Sequence, residues 1–205
     1  MTQPGVFSEP FAYWVGMDTD PRTTPEALAE FNRFYSATHV HEVIAAHPGF
    51  VSVSRWELVE SDARDGRLPG PRWLAVYAMQ DEAAAQQYIK DNARPWLHRR
   101  QYSAWPAARK RAKTTWRMLW RLLWTTPATD AAPDGVWLAG MHVPPETDTG
   151  FRGSCLELYR EFAHPAPGCP PFCAVSAADQ PEGGGADVVW RLRYRRIPLD
   201  AGQLL

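Results

Sequence analysis

"YWVGMD", Tyr13–Asp18, returns as "WLAGMH", Trp137–His142, and that return sets how the rest of the chain is read. Three more pieces of the N-terminal half come back in the same order. "EFNRFY" (Glu30–Tyr35) returns as "ELYREF" (Glu157–Phe162), "PGFVSVS" (Pro48–Ser54) as "PPFCAVS" (Pro170–Ser176), and "RWLAVY" (Arg72–Tyr77) as "VWRLRY" (Val189–Tyr194). One short match is noise, whereas four collinear ones mark a duplicated unit.

Each unit reads as strand, helix, strand, strand. Phe11–Asp18, Phe50–Val59 and Trp73–Met79 have the aromatic and β-branched content of strands. The helix between the first two starts at "TTPE", with Thr23 or Thr24 as N-cap and Pro25 in the first turn, and ends at "HPG". Asp81 caps a second helix, "EAAAQQYIKDNA". Between the units, Ser103–Trp124 places Trp116, Leu119, Trp120 and Leu123 on one stripe and predicts a basic amphipathic helix. Such a helix either packs its stripe across the two units or serves a membrane surface or an acidic partner. The divisions are therefore a first unit over 1–102, the basic Trp-rich helix and linker over 103–135, and a second, truncated unit over 136–205.

Charge is unevenly spread. Arg94–Thr129 holds nine Lys or Arg and no acid, which leaves 13 basic against 23 acidic residues elsewhere. Without a recognised reader module or an overall basic charge, nucleic acid is not an expected partner. The three cysteines, Cys155, Cys169 and Cys173, lack paired zinc spacings and fit a reducing compartment. "MTQPGVFSEP" has no secretory pattern and no segment reaches the ~18 apolar residues of a membrane span, so stable membrane insertion is not expected and a cytoplasmic location is. His39, His41 and His47 complete no metal set, "EGGGAD" reads as a hairpin turn rather than a phosphate loop, and no G-x-S-x-G elbow occurs.

The first long helix carries the chemistry. At about 100° per residue, Asn32, Tyr35, His39 and Glu42 share a sector with Leu28, Phe31 and Val43, so polar groups look toward the core. Tyr35 and His39 lie one turn apart. Histidine exchanges protons near neutrality, a phenol can stabilise a developing oxyanion, and Glu42 and Asn32 are placed to orient them. This set suits abstraction of a proton α to a carbonyl, the step behind aldol cyclisation, isomerisation and dehydration. The alternative is that these are core polar groups satisfied by the backbone. Trp14, Trp56, Trp73 and Tyr77 are the candidate apolar lining of a substrate pocket or barrel core, while Asp18 and His142, equivalent in the repeat, are either site residues or polar strand ends.

"FNRFYSATHVHEVIAAHPGFVSVSRWEL" leading into "RWLAVYAM" resembles the dimeric α/β-barrel superfamily, in particular its EthD-like branch. Tyr35, His39, Glu42 and "HPGF" match that branch's motif, and His41 stands where a proline is usual. The resemblance covers about Phe11–Ile89 and is weak in the second unit. It implies an α+β fold: tandem ferredoxin-like units with antiparallel sheets and outer helices, closing a dimeric-type α/β-barrel within one chain. It also implies a cofactor-independent polyketide cyclase, lyase or isomerase acting on a hydrophobic, carbonyl-bearing, polyketide-like or aromatic molecule. Two alternatives stand beside it: a cofactor-free monooxygenase of phenolic or anthrone-type substrates, and a non-catalytic binder of an apolar ligand or accessory protein to a biosynthetic enzyme. No cofactor or metal is expected, and the expected associations are a homodimer or an acidic protein held by the basic helix.

Overall fold

A computed structural model describes residues 7–63, 70–94, 102–126, 134–146, 151–159, 168–176 and 188–199. Eight strands close into an antiparallel barrel: β1 (Phe11–Thr19), β2 (Phe50–Ala63), β3 (Trp73–Met79), β4 (Ala112–Thr125), β5 (Gly135–Met141), β6 (Ser154–Leu158), β7 (Phe172–Ser176) and β8 (Val188–Ile197). Their order around it is β1-β3-β2-β8-β5-β7-β6-β4. Between β1 and β2 run α1 (Pro25–Phe34), a π-helical turn (Tyr35–His39) and α2 (Val40–Ala46), and α3 (Glu82–Asn92) follows β3. Thr24 caps α1 and Asp81 caps α3, each accepting a backbone N–H of the first turn, at 3.3 and 2.8 Å.

Alternation along the strands makes two cores. One set of side chains, drawn from all eight strands and including Trp14, Trp56, Trp116, Trp120 and Trp190, fills the barrel interior. The other face of β1 and β3 presents Phe11, Tyr13, Met17, Trp73, Ala75, Tyr77 and Met79 to Phe31, Tyr35, Val40, Val43 and Tyr88 of the helices. Trp14 and Trp73 therefore lie on opposite sides of one sheet. Among the described residues, no helix is long and apolar enough to cross a membrane.

The expected basic helix over Ser103–Trp124 is not present. Pro106 precedes a short 3-10 turn, Ala107–Arg111, and Ala112–Thr125 is strand β4, paired with β1 and β6. The positions that suggested a helix satisfy both periods, because Trp116 and Trp120 are four apart, one helical turn and two strand repeats. Leu119 completed a false stripe because β4 is buried on both faces there: Trp116, Met118 and Trp120 enter the barrel while Leu119 packs toward the helices. An acidic partner docked on that helix loses its docking element. The stretch Glu157–Phe162, matched to part of the first helix, begins instead as the end of β6, and Arg160–Phe162 lie outside the described residues. The hairpin turn "EGGGAD" and most of the linker before β5 also lie outside them.

Register moves two of the four repeats by one strand. Gly16 of β1 pairs with Leu74 of β3 and Trp116 of β4; Gly140 of β5 pairs with Cys173 of β7 and Trp190 of β8. β7 thus stands where β3 does, and β8 where β4 does, so "PPFCAVS" answers "RWLAVY" and "VWRLRY" answers the Trp116–Arg121 stretch of β4. Both glycines are required by close approach: a Cβ on Gly16 would lie 2.4 Å from the Pro71 ring, and one on Gly140 2.3 Å from the Trp190 indole. In each half the pairing of the first and last strands shifts just after that glycine. At the two seams, Glu57 of β2 meets Arg195 of β8 at 2.7 Å, and Glu157 of β6 meets Arg121 of β4 at 2.5 Å.

Candidate functional site

The π-helical turn shapes the site. Inserting one residue between α1 and α2 rotates everything beyond it by about a quarter turn relative to a continuous helix. Val40, off the apolar face of an ideal helix, becomes fully buried. Arg55 of β2 holds the turn open. Its guanidinium is buried and donates to the Asn32 carbonyl (3.1 Å), the Asn32 side-chain Oδ1 (2.9 Å) and the Ser36 hydroxyl (2.7 Å). It also lies 4.3 Å over the centre of the Tyr35 ring.

Between this turn, α3 and the helix-facing side of β1, β3 and β4 lies a partly open cavity of about 380 Å³, within the range of small-molecule sites. Tyr35, His39, Val43 and His47 come from the helical segment, Tyr13, Val15, Met17 and Tyr77 from β1 and β3, Tyr88 and Asp91 from α3, and Arg117 from β4. Tyr102, Trp105 and Arg109 close the remaining side. His39 sits in an aromatic box, its ring 4.2 Å from Trp105, 5.1 Å from Tyr35 and 5.4 Å from Tyr102. A second imidazole, His47, is 3.1 Å from the Tyr102 hydroxyl.

Burial, aided by the positive charges of Arg109 and Arg55, pulls the His39 pKa down to about 4, so its ring is neutral near pH 7. Glu42 does not reverse this. Its Oε2 is 3.9 Å from His39 Nδ1, beyond hydrogen-bond reach, and its Oε1 accepts the Ser103 N–H (2.8 Å) and hydroxyl. Burial raises the Tyr35 pKa, with Arg55 and the Tyr77 phenol pulling the other way, so Tyr35 remains a hydrogen-bond donor at neutral pH. The site thus offers a neutral imidazole that can accept a proton and a phenol that can donate one. Burial pushes the thiols of Cys155 and Cys169 up to about 12, which removes them as nucleophiles near neutrality. Among the described residues, no group of three His, Cys, Asp or Glu side chains is placed to hold a metal ion.

No family model and no curated protein matches the chain. Its chemistry is accordingly read from its own residues. Of the expected group, Tyr35, His39 and Tyr77 come together at the cavity. Asn32 is engaged by Arg55, and Glu42 by Ser103, so neither faces the space between Tyr35 and His39. Trp14 and Trp56 belong to the barrel interior, where the Trp56 indole donates to Ser54 at 2.8 Å, and Trp73 is buried on the helix side without lining the cavity. Asp18 accepts from the Arg72 N–H (2.8 Å) and the Thr115 hydroxyl (3.0 Å), tying the end of β1 to its neighbours, and His142 is exposed beyond β5. The structure adds Arg55, Tyr102, Trp105, Arg109 and Arg117. Arg55 shares its strand parity with Val51, Val53 and Glu57, a half-charged face that reads as solvated, so no local signal marks it as buried.

Proposed function

We propose that this protein is a cofactor-independent lyase, cyclase or isomerase that moves a proton next to a carbonyl of an apolar, polyketide-like or aromatic molecule. The observation that carries this reading is the joint placement of Tyr35 and His39 on one cavity wall, with the imidazole neutral. His39 takes the α-proton and returns it; the Tyr35 hydroxyl donates to the oxyanion that forms. Tyr13, Tyr88 and Trp105 supply flat apolar walls. In the fold, the order β4-β1-β3-β2 in the first half and β8-β5-β7-β6 in the second is fourth, first, third, second in each. That supports two fused ferredoxin-like units of the EthD-like, dimeric-barrel kind.

The test is exchange of α-protons in D2O, followed by NMR, with a panel of β-ketoacyl N-acetylcysteamine thioesters and aryl ketones. Exchange on at least one compound is expected, falling by about 10²-fold or more in His39→Gln and by a smaller factor in Tyr35→Phe. Full-rate exchange in His39→Gln overturns the reading. A second reading, a binder without turnover, is favoured by one observation: Asn32 and Glu42 are committed elsewhere, which leaves the pair without the expected orienting groups. Saturable binding of such compounds with no exchange and no dependence on His39 selects it.

A further inference from the structure

We propose that the ligand of this cavity carries an acidic group, held as its anion by Arg109 and Arg117. This rests on the reading above that an apolar carbonyl compound occupies the Tyr35–His39 cavity, and it adds the charge of that compound. Arg109 and Arg117 both line the space, and Asp91 is the one carboxylate among the described lining residues. Asp91 already accepts from the Gln87 side chain at 2.8 Å, and Glu42, the next acid, is bound to Ser103. Behind Tyr35, the Arg55 guanidinium meets only uncharged acceptors. Among the described residues, three guanidinium groups thus surround the site against two carboxylates, each of which has another partner.

The strand β4 provides a comparison within the molecule. Arg121, on the same face, is paired with Glu157, whereas the Arg117 guanidinium has no ion pair or hydrogen bond among the described residues and opens on the cavity. Arg109 donates from Nη1 to the Ala112 carbonyl at 2.7 Å and lies 5.2 Å from the centre of the Trp105 ring, so it is held at the wall with donors to spare. Guanidinium groups beside aromatic walls recognise a planar acid, the carboxylate on the arginines and the ring system on Tyr13, Tyr88 and Trp105. With His39 neutral, Arg109 and Arg117 are the permanent cations that an anion would meet among the described lining residues.

The experiment compares 2-naphthoate with 2-naphthamide, nearly the same shape without the charge, by titration calorimetry on the full chain at pH 7 and low salt. The His39 ring resonance, assigned by its loss in His39→Gln, reports where each probe sits. Naphthoate is expected to shift that resonance and to bind about tenfold or more tightly than the amide, the size of one charge-assisted hydrogen bond. Arg117→Gln is expected to remove most of that advantage while leaving the amide unchanged, and Arg121→Gln to alter neither. Arg109→Gln is the second variant, with Arg117→Gln deciding the matter should the loss of the Ala112 contact unfold it. Equal or tighter binding of the amide, or no binding of naphthoate, overturns the proposal. If the amide still binds beside His39, the proton-transfer reading survives that failure. Full α-proton exchange in His39→Gln, with naphthoate still preferred, sinks the proton-transfer reading alone.

Discussion

Arg55 and His39 occupy similar surroundings and answer them differently. A guanidinium keeps its proton when buried, so Arg55 remains a cation and draws Asn32 and Ser36 around itself. An imidazole can shed its proton, and His39 does so, its pKa falling from 6.5 to about 4. Between those values the unfolded chain binds a proton that the folded one does not, so the contribution is full above about pH 6.5 and lost by about pH 4. The size of the displacement corresponds to about 3 kcal/mol. Urea unfolding of wild type is expected to lose about that much more stability over this interval than His39→Gln. In the exchange assay, kcat/KM is expected to stay flat from pH 7 to 5 where His39 accepts the proton, and to fall as pH approaches 4. The side chains of Tyr35 and His39 were legible as a pair because four-residue spacing survives, approximately, in a π turn. Beyond the insertion, one extra residue rotates the second half of the wheel and carries Glu42 to Ser103, and no residue type in "YSATHV" announces it; Asn32 lies ahead of the insertion and is drawn instead to Arg55.

The helical segment and β2 depend on each other through that turn. Replacing Arg55 by Met removes three hydrogen bonds from a charged donor and leaves the buried Ser36 and the half-buried Asn32 without their partner. Arg55→Met is expected to cost about 2–3 kcal/mol in chemical denaturation, with faster amide exchange at Ser36–Val40 as the turn relaxes. Strands carry a similar dependence at their glycines. Gly140→Ala would drive a methyl into the Trp190 ring and Pro170, with no flexible neighbour to yield. A loss of about 2–3 kcal/mol is expected, measured by thermal unfolding. Gly16→Ala, against Pro71 and the Trp116 Cβ, is expected to behave alike. These glycines and their strands were readable in "VGMD" and "AGMH". The identity of β4 was not, since Trp116 and Trp120 fit either period and only Met118 and Leu119 distinguish them, with both buried and on opposite faces. As equivalent last strands, "TWRMLWR" and "VWRLRYR" point to β structure, because the second carries alternating arginines that a buried helix face could not.

At the scale of the molecule, the barrel closes where β2 meets β8 and where β6 meets β4. Those two seams use equivalent pairs, Glu57 with Arg195 and Glu157 with Arg121. Each exposed ion pair contributes little by itself, but the equivalence means that β2 presents to β4 the same charge order it presents to β8. A chain ended after Thr126 keeps β4-β1-β3-β2 and leaves both edges open. Two copies are expected to pair β2 to β4 twice, giving a dimer in analytical ultracentrifugation that Glu57→Arg weakens. The repeat in the sequence predicts two halves in one chain, and the structure shows a closed eight-stranded antiparallel barrel. The cavity lies in the first half for a local reason: the helical segment with its π turn belongs there, and Tyr35 and His39 have no counterparts among the described residues of the second.

Because the sheet returns to its own first strand, the described ladder has no terminal row of bare amides and carbonyls. Among the described residues a foreign strand finds no terminal strand to extend, so the closed barrel removes the template that the edge of an open sheet would offer.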